Sequence, residues 1–169
     1  MSMTHYMELL ATNQPWNLLL FMAVPVILAE TIAILELYLL FTRRMEGRAR
    51  LVSRIAGIVA GIYFAGIIAY LIPHAVLPIT QAGEWRTPVD VLAVGAYLLS
   101  GIPLVLIALQ DMKLLDRRRP EASRMARHAV FVGAFLVLAH VAMIAGMLDP
   151  QVFGYAPPSM DGMADMPMH

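Results

Sequence analysis

The chain has 169 residues, of which 60 % are hydrophobic and only 14 % charged, with a mean hydropathy of +0.71 and a formal net charge of zero. A soluble domain carries roughly 45–50 % apolar and about 25 % charged residues, so this balance excludes an ordinary soluble fold. The zero net charge leaves a nucleic-acid partner without electrostatic support, and the absence of cysteine rules out disulfides, thiolate metal sites and cysteine nucleophiles.

In chain order, residues 1–15 hold no Lys or Arg, so the basic n-region of a cleavable signal peptide is not read there. Four apolar runs follow: about Trp16 to Thr42, Val52 to Ile79, Val89 to Met112 and Met125 to Leu148. A span needs roughly 20 residues at 1.5 Å rise each, and all four suffice. The predicted fold is all-α: a polytopic membrane protein with a four-helix transmembrane bundle over 16–149. A short N-terminal segment (1–15) precedes it and a polar, disordered tail (150–169) follows. Tyr6, Trp16, Trp85 and Tyr155 lie at or beyond the same ends of the spans, where amphipathic rings favour the membrane interface.

Charge predicts the orientation. The loop after the first span carries Arg43, Arg44, Arg48, Arg50 and Arg54; that after the third carries Lys113, Arg117, Arg118, Arg119, Arg124 and Arg127. Elsewhere only Arg86 is basic. Basic loops stay in the cytoplasm. A bacterial inner-membrane protein is therefore expected, with the N-terminus, the 80–88 loop and the tail all periplasmic. Gly57 and Gly61 form a GxxxG pair, and Gly95, Gly101, Gly133 and Gly146 offer further close approaches between helices. Pro25 and Pro103 sit inside spans and should kink them, leaving carbonyls without an amide partner.

Ionisable groups inside a span cost roughly 2.5–3.5 kcal/mol each on insertion scales, so they are candidates for function. Here they are Glu30, Glu36, His74, Asp90, His128 and His140. Asp90 follows Pro88 at a helix start, where a carboxylate complements the helix dipole. Glu36 lies two turns before Arg43 and could pair with it; His128 lies near a span end. Glu30 and His140 fall about 18 and 22 Å from the basic ends of their helices, so a carboxylate and an imidazole could meet at similar depth. A buried Glu–His hydrogen bond that only fixes helix register is the plain alternative. Glu30, Glu36, His128 and Asp90 together are the candidates for an intramembrane polar relay.

His140, Met143 and Met147 share one helical face. Imidazole and thioether suit the soft ion Cu(I), although Met is also a common gap-filler in cores. The tail PPSMDGMADMPMH adds Met160, Met163, Met166, Met168 and His169, and the N-terminus adds Met3, His5 and Met7. These Met-x-x-Met and Met-x-Met spacings resemble the methionine motifs of copper importers and periplasmic copper carriers. The resemblance implies a copper(I) or similar metal ligand set of these residues with His74 and the His140 stripe. In size, topology and His/Met tail the chain also resembles small four-helix bacterial membrane proteins described as permease-like.

Metal handling is thus the expected function, with Glu30 as counter-charge or proton relay and Glu36 and His128 continuing inward. Four helices make a thin shell for a pathway, so a homo-oligomer is expected. Two other readings compete. One is electron transfer through b-type haem held by His74 and His140. The other is an accessory subunit of a larger membrane complex. No phosphate-binding glycine loop, nucleophile elbow or HExxH is present, which weighs against an enzyme.

Overall fold

The computed structural model describes residues 4–43, 46–115 and 120–156, and for Glu121 and Ala122 the backbone alone. It is an all-α bundle. A short helix α1 (His5–Ala11) precedes four long ones: α2 (Trp16–Thr42), α3 (Arg48–Ala82), α4 (Pro88–Asp111) and α5 (Glu121–Met147). A 3-10 turn, Pro150–Phe153, follows α5. The four long helices are long and apolar enough to cross a membrane, and the protein is a multi-pass membrane protein.

Local chemistry sets the helix ends. Thr4 caps α1 by accepting from the Met7 amide, and Thr87 caps α4 by accepting from the Asp90 amide, with Pro88 in the first turn. Helix α3 starts four residues before the apolar run expected at Val52. Gly47 turns the chain at φ 110°, and the partly exposed, arginine-bearing first turn carries the helix beyond its apolar stretch. It ends at Gly83, whose φ of 67° brings the Gly83 and Glu84 amides back to the Thr80 and Ile79 carbonyls.

Helix α4 is the centre of the bundle. It packs most extensively on α5 and on α3, while α2 lies along α3 and meets α5 only along a loose seam. The glycine pair on α3 makes the first contact possible. A Cβ on Gly61 would stand 2.5 Å from the Leu104 carbonyl oxygen, and one on Gly57 would strike the Asp111 carboxylate and come within 2.9 Å of Ile107. Gly101 gives the same room to Phe64, and Gly146 to Tyr6. Gly95 and Gly133, expected to serve likewise, face open space instead. Lipid is as apolar as leucine, so this interlocking and polar pairing, rather than hydrophobic burial, hold the helices together.

Two π-turns among the described residues lie at prolines. Over the five residues Leu19–Ala23, directly before regular α-helix resumes at Val24, the helix widens to a π-turn just ahead of Pro25. Pro25 donates no amide, which frees carbonyls one turn back. Tyr97 donates its hydroxyl to the Phe21 carbonyl at 2.5 Å, and Tyr63 donates to the Leu20 carbonyl at 2.9 Å. A second π-turn, Ile72–Val76, contains Pro73 and His74.

Candidate functional site

Helix α1 closes one end of the bundle. Tyr6 and Leu10 are buried, Tyr6 against Gly146 and the Tyr97 ring, and Thr4 donates to the Gly146 carbonyl at 2.7 Å. Burial pushes the Tyr6 hydroxyl up to about 12, so it stays a neutral phenol. Buried Asp90 accepts from the His5 amide at 2.7 Å and from His5 Nδ1 at 2.5 Å. Glu8 and Arg86 form a second link, bidentate at 2.8 Å, but Glu8 is 46 % exposed. Such a pair contributes about 0–1 kcal/mol, so the buried His5–Asp90 contact is the principal fastener.

This docking revises the reading of the N-terminus. His5 is held by Asp90, and Met7 packs against the core rather than standing free beside it. Asp90 is correspondingly an anchor for α1, at the opposite end of α4 from Asp111, and the structure does not bring it to Glu36 and His128. Met3 lies outside the described residues, as do Met160, Met163, Met166, Met168 and His169. The tail's first residues, 150–153, form an ordered turn, and Pro150 is buried.

Along the α2–α5 seam, toward the α1 end, lies a cavity of about 170 Å³ lined by Met22, Glu30, His140 and Met143, with Tyr6 and Tyr97 among its walls. Glu30 and His140 do share one site. His140 Nδ1 donates to the Leu136 carbonyl at 2.7 Å, which leaves the lone pair of the neutral ring on Nε2. Met143 lies within the cavity's lining, whereas Met147 is 65 % exposed and lies outside it. Met22 was not read from the sequence; inside an apolar run nothing marks one methionine as facing a cavity.

His74 lines a different cavity, of about 240 Å³, together with His5, Glu8, Leu71 and Val94. It stacks on Tyr70 with ring centres 4.5 Å apart, and its Nδ1 donates to the Tyr70 carbonyl. Tyr6, Phe21 and Tyr97 stand between the two cavities, since they line both. The structure therefore does not bring His74 and His140 to one site, as a haem between them would require.

The most buried ionisable cluster lies toward the other, arginine-rich end. His128 is fully buried, and so nearly are Glu36 and Asp111. Its Nδ1 is in ion-pair contact with Glu36 of α2, and its Nε2 lies 2.9 Å from Asp111 Oδ2 of α4. Glu36 thus meets His128, not Arg43. Asp111 was missed because it ends an apolar run, where a carboxylate reads as a boundary. Among the described residues no three His, Asp or Glu side chains are arranged to enclose a metal ion. In this cluster the imidazole stands between its carboxylates, one on each nitrogen.

Neither curated proteins nor solved structures provide a match to this chain. A family model covers residues 1–162, nearly the whole sequence, and the chain belongs to that family, the family of unknown function DUF6803.

Proposed function

We propose that the protein handles Cu(I), or a similarly soft metal ion, in the cavity between α2 and α5. One observation carries this reading: two thioethers, an imidazole and a carboxylate, those of Met22, Met143, His140 and Glu30, line one small cavity that opens on the side of a membrane bundle. Thioether and imidazole suit a soft monovalent ion, and Glu30 offers the balancing charge. The Leu136 carbonyl on Nδ1 presents Nε2 to the cavity, as an outer hydrogen bond does for a metal-bound histidine. The same groups packed against lipid alone would be costly.

In this proposal the arginine-rich end is cytoplasmic, the membrane is a bacterial inner membrane, and both termini are periplasmic. The methionines of the tail then lie on the same side as the cavity and deliver the ion toward it. The seam opens sideways, with Glu30 and His140 exposed in the single chain, and a homo-oligomer would cover it.

The test is elemental analysis of the full chain, purified in mild detergent after growth with added copper. Wild type should carry copper at one or more per chain, and a variant combining Met22→Leu, His140→Asn and Met143→Leu should lose one equivalent. Equal copper in the two proteins would refute the cavity as the site.

A further inference from the structure

The Glu36–His128–Asp111 cluster lies between two cavities that the metal reading does not use. On one side, about 230 Å³ of space along the α2–α5 seam is lined by Ala33, Glu36, Leu40, Val132, Gly133 and Leu136. Ala33 and Leu136 are each about one turn from Glu30 and His140, so this space continues the seam from the first cavity. On the other side, about 440 Å³ at the arginine-rich end is lined by Arg50, Arg54, Lys113, Arg124, Glu46 and Asp111. Glu36 faces the first space and Asp111 the second, and His128 is the link between the two carboxylates.

We propose that these three residues form a proton-transfer site that carries protons between the seam and the basic pocket. The step balances within the cluster. A proton reaching the Glu36 carboxyl passes to His128 Nδ1, while the proton on Nε2 passes to Asp111; Glu36 ends as carboxylate and Asp111 as carboxylic acid. Asp111 then releases its proton to water in the basic pocket. Turning the imidazole over, or running the step backward, resets it. An imidazole is suited to this because its two nitrogens can take and give a proton at once.

The charged groups around the imidazole come from every helix packed on it. Glu36 comes from α2 and Asp111 from α4. From α3, Arg54 donates Nε to the Asp111 backbone carbonyl at 2.7 Å. On α5 itself lie Arg124, whose carbonyl accepts from Gln110, and Arg127. The arginines lower the Coulombic cost of a net negative cluster. Stability alone does not explain the arrangement. A polar contact between membrane helices contributes about 0.6 kcal/mol on average, less than the insertion cost of the groups that make it.

The inference stands apart from the metal reading, because it needs no metal to be bound. The full chain is reconstituted in liposomes that enclose a pH-sensitive dye, metal is chelated, and a potassium diffusion potential is imposed. Wild type should acidify or alkalinise the lumen faster than empty liposomes, and His128→Gln, which keeps two hydrogen-bonding ends but cannot relay, should slow this by about tenfold or more. Gly133→Leu is the second variant. It touches none of the three residues, faces open space, and fills the cavity that opens on Glu36; it should slow the flux comparably. Flux no greater than in empty liposomes, or flux unchanged in either variant that folds, overturns the proposal.

Discussion

Gly57 on α3 stands directly against the carboxylate of Asp111 on α4, so closely that even a methyl group there would overlap Oδ2. The residue that lets two helices touch also makes the space in which the buried carboxylate meets His128. Packing and chemistry share one position.

Gly57→Ala should therefore act twice. Its Cβ must displace Asp111 and Ile107, at about 1–3 kcal/mol for overpacking. Thermal unfolding in detergent should show the loss, and proton flux should fall with it. Gly66→Ala is the control, since nothing lies within 4 Å of a Cβ there. Alanine in mid-helix gains about 0.5–1 kcal/mol over glycine, so that variant should unfold no earlier than wild type. Equal effects at the two glycines would show that the Gly57–Asp111 contact carries no weight.

The tyrosines that serve Pro25 make a second prediction. Tyr97→Phe removes the donor to the Phe21 carbonyl and should cost about 1 kcal/mol. Pro25→Ala restores a backbone amide nearby and gives that carbonyl another partner. In the double variant the cost of Tyr97→Phe should shrink, which a double-mutant cycle on unfolding free energies measures directly. Strict additivity would mean that Tyr97 is held there for some reason other than the proline.

Much of the fold was legible because a membrane imposes simple demands. Runs of apolar residues marked four helices, and the glycine pair marked one of their contacts. Constant helix rise predicts similar depths for Glu30 and His140, and the two line one cavity. Which helix neighbours which is not legible in the pattern of any single segment. His5 beside Met3 and Met7 reads as a metal motif, and only the fold shows Asp90, 85 residues away, holding its ring. Asp111 and Met22 were invisible for the same reason: each is ordinary in its own helix and becomes chemical only against another. His128 lies near a span end by its position along the helix, and only the neighbours that α2 and α4 supply make it fully buried.

The His5–Asp90 contact gives a third prediction. Asp90 is fully buried, so a side chain that cannot complete its hydrogen bonds leaves an uncompensated group, at about 1–3 kcal/mol. His5→Ala should loosen α1 from the bundle, and amide exchange in residues 5–11 should quicken while α4 and α5 stay protected. Glu8→Ala should do much less, because the Glu8–Arg86 pair is half exposed and screened by solvent. If Glu8→Ala frees α1 as readily as His5→Ala, the ranking of the two fasteners is wrong.

The last prediction separates capture from binding within the proposed metal function. The tail from Pro157 onward holds five candidate ligands, Met160, Met163, Met166, Met168 and His169, in a segment with little else to pack. Removing it should leave the bundle's unfolding temperature unchanged, because the core lies within residues 6–145. In the proposal the cavity retains its own equivalent of copper, while uptake from a dilute, chelated Cu(I) source slows. Neutralising the cavity through His140→Asn should do the reverse, lowering affinity by about tenfold or more and leaving the first capture on the tail intact. The two variants must therefore differ in kind: one changes the rate of loading, the other the equilibrium. If tail deletion alone abolishes bound copper and His140→Asn changes nothing, the metal is held by the tail, and the cavity's thioethers are packing.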